Sequence, residues 1–406
     1  MKYFIGGLIV LFASYTDIFL FRSNIIPVPP SSFLIPLFMG LCLINYSIKD
    51  LIDIFKYHSF RILFIVLLFS LIYAGFSKAK SSIITEKIVL NIITLLLYTF
   101  ILHFFRTESK KTVITVLISS FAVLVGSFFY DFFIGLPNYG QKFAESVRKG
   151  GFGENPNQAA SGIKFLALAI LVLINKDKKL RYIIITLMVA AVFLTLSRSG
   201  MASVIFILIF GTMNNWSEDT NLNPKIVITS VFKLVMIFAV LYISLLSFAE
   251  IIKENFPAFT RGAAGQRMDM LLGKSEVKID EGGDSGGRSD LLVMFFYDFL
   301  DNPWGRGTGY SSDKNFNRLN SHNYFLYLGI NFGILALLFY LFYTAYSLNI
   351  AIKYDQFYYL IFTVLIIFEC FVSHNIWYTR TLIVCLAFFD SRVYKNINQK
   401  RVNYLA

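Results

Sequence analysis

Three basic side chains in this sequence could build an anion site with a proton acceptor beside it. Arg198 lies in Leu196-Ser197-Arg198-Ser199-Gly200, between two apolar stretches. An arginine at membrane depth costs a few kcal/mol on insertion scales, so it usually lines a cavity or meets an anion. The competing role is a guanidinium that snorkels to lipid headgroups. Arg288 lies in Gly286-Gly287-Arg288-Ser289-Asp290-Leu291-Leu292. Glycines before it and an apolar run after it predict a loop that opens a helix. A helix N-terminus with an arginine suits an anion; the alternative is a solvated arginine paired with Asp290 or Asp284. His322 lies in Asn320-Ser321-His322-Asn323-Tyr324, and its imidazole can move a proton near neutral pH. Ser321 or Asn323 is expected to cap the helix that follows, and Asn323 is also a substrate-binding candidate. His374, in Ser373-His374-Asn375, ranks behind His322. Arg148, Lys149 and Arg380 are reserve candidates at the outer ends of apolar stretches.

The elements that position these groups are membrane helices. Charged residues make up 15% of the 406 residues and hydrophobic ones 56%, with 44 Phe and 23 Tyr. Soluble domains average about 25% charged residues, so the solvent for this chain is lipid. With about 20 apolar residues needed per crossing, candidate spans fall at 4–21, 32–47, 60–76, 83–105, 112–134, 158–175, 181–196, 199–213, 226–249, 323–347, 356–373 and 377–394. The fold class expected is an all-α polytopic membrane protein of about twelve helices. The spans 181–196 and 199–213 are short and could form one hairpin that does not fully cross.

Basic residues set the orientation. Lys49, Lys56, Arg106, Lys110, Lys111, Lys176, Lys178, Lys179, Arg181 and the C-terminal Arg392, Lys395, Lys400 and Arg401 fall on one side. Both termini are then expected in the cytoplasm; Lys78 and Lys80 run against the rule. The expected organisation is helices over 1–249, one large periplasmic loop over 250–321, and helices plus a cytoplasmic tail over 322–406. His58 and His103 fall on the cytoplasmic side and read as interfacial residues.

Several function classes are excluded. The net charge of +12 reports topology, since no basic patch coincides with a soluble fold, and nucleic-acid binding is a poor reading. Cys42, Cys370 and Cys385 all sit inside apolar runs without a CxxC pair, which leaves no metal site and no disulfide to predict. Gly273-Lys274-Ser275 lacks the first glycine of a phosphate loop. No cofactor is implied. A transporter of about twelve spans is the non-enzyme alternative, but the late, long outer loop breaks the repeat symmetry such proteins favour.

Taken in order, the motifs resemble the O-antigen ligase and O-antigen polymerase superfamily. They are Gly153-Glu154-Asn155-Pro156-Asn157, Ser197-Arg198-Ser199-Gly200, Arg288 to Leu292 as R-x-x-x-L, Asn302-Pro303-Trp304-Gly305-Arg306-Gly307-Thr308-Gly309, and His322 to Gly333 as H-x10-G. The resemblance covers residues 135 to 347. It implies a GT-C-like membrane glycosyltransferase of the bacterial inner membrane, without metal or nucleotide sugar. The implied donor is a glycan on undecaprenyl diphosphate; the acceptor is a lipid-linked repeat unit or lipid A–core, and a chain-length regulator is a further partner. Arg198 and Arg288 would bind the diphosphate, with Arg148 and Arg380 in reserve, and His322 would act on the acceptor hydroxyl at the periplasmic face. A compact, Gly-rich loop leans towards a polymerase, with the ligase close behind.

Overall fold

The computed structural model describes residues 2–47, 49, 52–136, 149–153, 155–174, 177–218, 232, 236, 288–317 and 320–405. The expected span 226–249 (apart from residues 232 and 236), most of the loop 250–321, and Arg148 lie outside the described residues, and of Arg288 only the backbone is described. The described residues are helical, with no strand among them.

The helices are α1 Lys2–Ala13, α2 Thr16–Arg22, α3 Pro30–Asn45, α4 His58–Ala74, α5 Ser81–Thr107, α6 Lys110–Phe133, α7 Pro156–Leu173, α8 Lys178–Leu194, α9 Arg198–Met213, α10 Arg288–Asp301, α11 Tyr324–Lys353, α12 Phe357–Val372 and α13 Arg380–Leu405. Every expected span within the described residues is therefore helical. By length and composition, α5, α6, α7 and α11 can each cross a membrane, and α1 with α2 qualifies only as a broken pair. The others, including α4, α9 and α12, are shorter than about 20 residues, except α13 with 26. A helical membrane protein is supported; the twelve-span count rests on sequence hydropathy alone.

Local chemistry places the helix starts where side chains can satisfy the orphan N–H groups. Asn155 accepts from Asn157 N at 2.8 Å, with Pro156 at the first helical position of α7. Asp177 accepts from Leu180 N at 3.0 Å to open α8. Ser197 accepts from Gly200 N at 3.3 Å to open α9. The turn between α8 and α9 is Thr195 to Ser197, with Leu196 in the left-handed region at φ 53°. The two short spans are thus two separate helices with their own caps.

The chain divides into two compact units, one of Met1–Ala13, Pro27–Ser120 and Gly286–Ala406, the other of Ser14–Ile26 and Phe121–Ser285. In the second unit, Asp131 near the end of α6 holds the segment before α7. Its carboxylate accepts from Gly150 N at 3.2 Å and Gly151 N at 3.0 Å, and Lys149 Nζ lies 3.5 Å away. Gly151 has φ 55°, and a Cβ there would come within 2.7 Å of the Phe128 backbone. Phe152 then stacks on Phe19 at 4.1 Å between centroids. Lys164, in the middle of α7, is fully buried and donates to Ser203 Oγ at 2.8 Å.

In the first unit the decisive feature is a break in α11. Gly333 has φ 77° and ψ −176°, so α11 is two helical pieces on either side of it. Segment 302–309 docks into the break. Arg306 N donates to Ile330 O at 2.7 Å, Gly307 N to Asn331 O at 3.0 Å, and Ile334 N to Pro303 O at 2.8 Å. These bonds satisfy carbonyls and an amide that the break would otherwise orphan. The segment is tied on its other side to α4, where Thr308 Oγ1 donates to Ser70 O at 2.6 Å and Tyr73 Oη to Trp304 O at 2.9 Å. Arg306 also pairs with Asp298 of α10 at 2.7 Å. Gly329 of α11 packs against Phe299 of α10, where a Cβ would approach Phe299 Cδ2 at 2.9 Å. The break and its inserted segment thus fix α10, which begins at Arg288, against α11, which begins just after His322.

Candidate functional site

His322 leads into α11 with a backbone no ordinary residue prefers. Its φ is 48°, a left-handed conformation that costs a side chain with a Cβ about 1–3 kcal/mol and that folds retain mainly where it serves a purpose. The neighbours hold it in place. Ser321 Oγ donates to Asn323 O at 3.0 Å, and Asn323 Oδ1 accepts from Leu326 N at 3.0 Å. Asn323 is therefore the N-cap of α11, the structural role expected for it or for Ser321.

The imidazole of His322 is half-buried and meets that of His374 edge to face, with centroids 5.6 Å apart and ring planes at 84°. His374 lies in the turn between α12 and α13 and is 7% exposed. Its Nδ1 has no hydrogen-bond partner among the described residues. Burial, then the nearby His322 and Lys87, push its pKa down to about 3. Burial thus holds the His374 imidazole neutral near neutral pH.

Three residues not singled out in the sequence complete this face. Tyr327 of α11 lies 6.5 Å from His374, ring to ring, and its hydroxyl shares a 3.2 Å hydrogen bond with that of Tyr378. The Lys87 ammonium stands 5.6 Å from the Tyr378 ring centroid and 3.7 Å from Glu86. Beside them an open cleft of about 260 Å³ is lined by Glu86, Tyr378 and Arg380 and by apolar Val89, Leu90, Ile93 and Ile383. Lys87 was findable, because a lysine inside an apolar span is a functional candidate by the same rule that picked out Arg198. The tyrosines carry no such signal among 23 of their kind.

The structure thus brings together His322, His374 and Asn323, with Arg380 on the neighbouring cleft. Arg380 opens α13, its guanidinium 5.7 Å from the Phe12 ring. Arg198 belongs to the second unit. It is the exposed first residue of α9, and Gly200 beside it packs against Ala160, where a Cβ would approach at 2.8 Å. Among the described residues no group of three His, Cys, Asp or Glu stands close enough to hold a metal ion.

Residues 183–341 match the family model described as O-Antigen ligase. That stretch contains Arg198, Arg288, segment 302–309, His322 and Gly333, and the match supports the O-antigen ligase and polymerase superfamily. It also supports a function of the O-antigen ligase or polymerase type for this membrane protein. Arg148, His374 and Arg380 lie outside the matched stretch. No curated protein matches the chain.

The depressed pKa of His374 gives a stability prediction. The unfolded chain takes up a proton at an ordinary imidazole pKa, about 6.5, whereas the folded chain does so only near 3. Below about 6.5 the unfolded state binds more protons, so stability falls with falling pH down to the folded value, and the full contribution is present above 6.5. A His374→Asn protein should lose less stability than the wild type between about pH 7 and pH 4. Unfolding midpoints in detergent at the two pH values measure this; parallel losses would refute the assignment.

Proposed function

We propose that the protein is a membrane glycosyltransferase that moves a glycan from a lipid diphosphate to an acceptor sugar hydroxyl. The observation that carries this reading is the His322–His374 pair at the start of α11, inside or beside the stretch that matches the O-antigen ligase model. The His374 imidazole is held neutral beside His322, and an imidazole at that place suits removal of a proton from a hydroxyl. In the transfer, the acceptor oxygen attacks the anomeric carbon of the donor sugar while His322 takes the hydroxyl proton. The bond from that carbon to the phosphate oxygen breaks, and the diphosphate leaves with its electron pair. A diphosphate leaving group needs charge stabilisation more than protonation, which is what Arg288 and Arg198 would supply. The energy comes from the donor bond, so no ATPase is required. The donor is an undecaprenyl-diphosphate-linked glycan, and the periplasmic face is the side of transfer.

Between the two acceptor classes, repeat-unit polymerisation is favoured by the Gly-rich sequence of stretch 280–287. Transfer to lipid A–core is the second reading, favoured by the description of the matching family model. A deletion strain separates them. Single repeats on lipid A–core mean loss of a polymerase, and long chains not attached to lipid A–core mean loss of a ligase. Purified protein that transfers glycan in detergent, with no compartment to cross, rules out the transporter class.

Arg198→Ala and Arg288→Ala should each abolish transfer while the protein stays in the membrane. Each removes a charge-assisted contact worth on the order of 1.5–3 kcal/mol, or roughly ten- to a hundredfold in donor affinity. Lysine should rescue only in part, because a point charge cannot grip two phosphate oxygens. Transfer assays on membranes with matched protein levels test this, and full activity in either alanine variant removes that residue from the site.

A further inference from the structure

A second group of polar side chains lies buried among the helices of the first unit, at the end of α11 remote from His322. Asp390 of α13 is fully buried. Its Oδ2 accepts from Tyr98 Oη of α5 at 2.6 Å, and its Oδ1 from Tyr359 Oη of α12 at 3.3 Å. The Tyr359 hydroxyl in turn lies 2.8 Å from Nε2 of His58, the first residue of α4. Nδ1 of His58 lies 3.1 Å from Tyr394 Oη, which donates to Lys56 O at 3.2 Å and accepts from His58 N at 3.3 Å.

Counting protons over these contacts constrains the ionisation state. Each tyrosine has one hydroxyl proton. With Tyr394 donating to Lys56 O, its oxygen takes the Nδ1–H of His58. The opposite tautomer, in which Tyr394 donates to a bare Nδ1 and leaves Lys56 O, needs no shared proton and is the outcome that the ring-nitrogen measurement would expose. With Nδ1 protonated, two arrangements satisfy both contacts of the Tyr359 hydroxyl, to Nε2 of His58 and to Oδ1 of Asp390. In one, Tyr359 donates to an ionised Asp390 and accepts from Nε2–H of a cationic His58. In the other, a protonated Asp390 donates to Tyr359, which donates to a bare Nε2. Both hold one proton between imidazole and carboxylate. Without that proton, two acceptor lone pairs face each other at one of those two contacts, whichever way the tyrosine hydroxyl turns. Buried polar groups left facing like partners are costly.

We propose that His58, Tyr359 and Asp390 form a buried proton-binding site in which a single proton is held between the imidazole and the carboxylate across the tyrosine hydroxyl. The other groups acting on it are few. Burial most of all opposes a positive His58 imidazole, Asp390 favours one, and Arg61 on α4 adds to the opposition. Ser59 also hydrogen-bonds to Asp390 and Ser347 to Tyr359. Tyr343 of α11 faces the site from beside Ser59, with which it hydrogen-bonds at 3.1 Å. The Tyr57 ring lies tilted at 42° beside Tyr394, with centroids 4.2 Å apart, and carries the Arg106 guanidinium 5.5 Å from its own centroid. The site is independent of the transfer chemistry proposed for His322.

The test counts the proton. In Asp390→Asn the site has no carboxylate to share with, and His58 is neutral. The wild type should then hold one more proton than the variant in the folded state only. Its stability relative to the variant, measured by equilibrium unfolding in mixed micelles, should fall as pH rises, the ratio of unfolding constants (wild type over variant) growing about tenfold per pH unit between about pH 5 and 8. A flat ratio overturns the proposal. A second measurement leaves the site untouched. With His103, His322 and His374 all changed to Gln, His58 is the sole histidine, and the ¹⁵N resonances of its ring report each nitrogen. Nδ1 should be the protonated ring nitrogen at about pH 8, because the proton count starts from its bond to Tyr394 Oη. A bare Nδ1 overturns the proposal even if Asp390→Asn does not fold.

Discussion

Replacing His322 with Gln should lower glycan transfer by about a hundred- to ten-thousandfold while leaving donor binding intact, because loss of a general base has that effect and the donor is held elsewhere. The glutamine keeps a hydrogen-bonding side chain and cannot take a proton. His322→Asn is the more informative companion. The φ of 48° at this position is one that asparagine tolerates better than most residues with a Cβ. The Asn protein should therefore fold at least as well as the wild type and still fail to transfer. Stability up and turnover lost would mark the strained backbone as serving the reaction; loss of both would mean that His322 is structural. The pH profile adds a further check. His374 stays neutral down to about pH 3, so the rising limb should follow the loss of one proton, from His322. A limb steeper than one proton, or a Gln variant that turns over normally, would move the base to another group.

How much of this was legible in the sequence depends on what kind of signal each residue carries. Hydropathy located the helices well, because a run of Leu, Ile and Phe long enough to meet lipid has few other uses; α5, α6 and α11 fall where the apolar runs at 83–105, 112–134 and 323–347 predict. It could not show that α11 is broken, since the run through Gly329-Ile330-Asn331-Phe332-Gly333 is apolar on both sides of the break. His58 was misread. Its place at the end of an apolar run suggested an interfacial residue, but tyrosines from α12 and α13 enclose it, and those partners lie 301 and 336 residues away in the chain. His103 is likewise buried, packed 3.9 Å from the Tyr46 ring. Periodicity reports one helix at a time and says nothing of what a neighbouring helix brings. The His322–His374 pair was half legible: each histidine stood out at the end of a span, while their 5.6 Å approach is a product of packing. The order of motifs supplied what periodicity could not, because it linked Arg288, segment 302–309, His322 and Gly333 before any contact between them was known.

Gly333→Ala should be a severely damaging single-methyl change in the first unit. The backbone at φ 77° and ψ −176° lies in a region that is essentially reserved for glycine, and a side chain there costs about 1–3 kcal/mol in backbone strain alone. An added Cβ would also come within 2.5 Å of the Trp304 carbonyl carbon and oxygen and 3.0 Å of Pro303 O. Those atoms are backbone and cannot swing aside. Overpacking of this sort costs a further 1–3 kcal/mol or so, and any retreat of segment 302–309 breaks the bonds that Arg306 N and Gly307 N make to α11, each worth about 1 kcal/mol. The sum is on the order of 4–8 kcal/mol, comparable with the whole stability of many domains. The expected result is poor accumulation in membranes and an unfolding midpoint well below that of the wild type. Gly40→Ala is the control, because nothing lies within 4 Å of a Cβ at that helical position; there alanine should be neutral or slightly stabilising through its better helix propensity. If Gly333→Ala folds and unfolds like Gly40→Ala, the break in α11 does not depend on glycine. If it folds less well but still accumulates, transfer should fall further than protein level does, because α10 and its Arg288 are positioned by the segment that Gly333 admits.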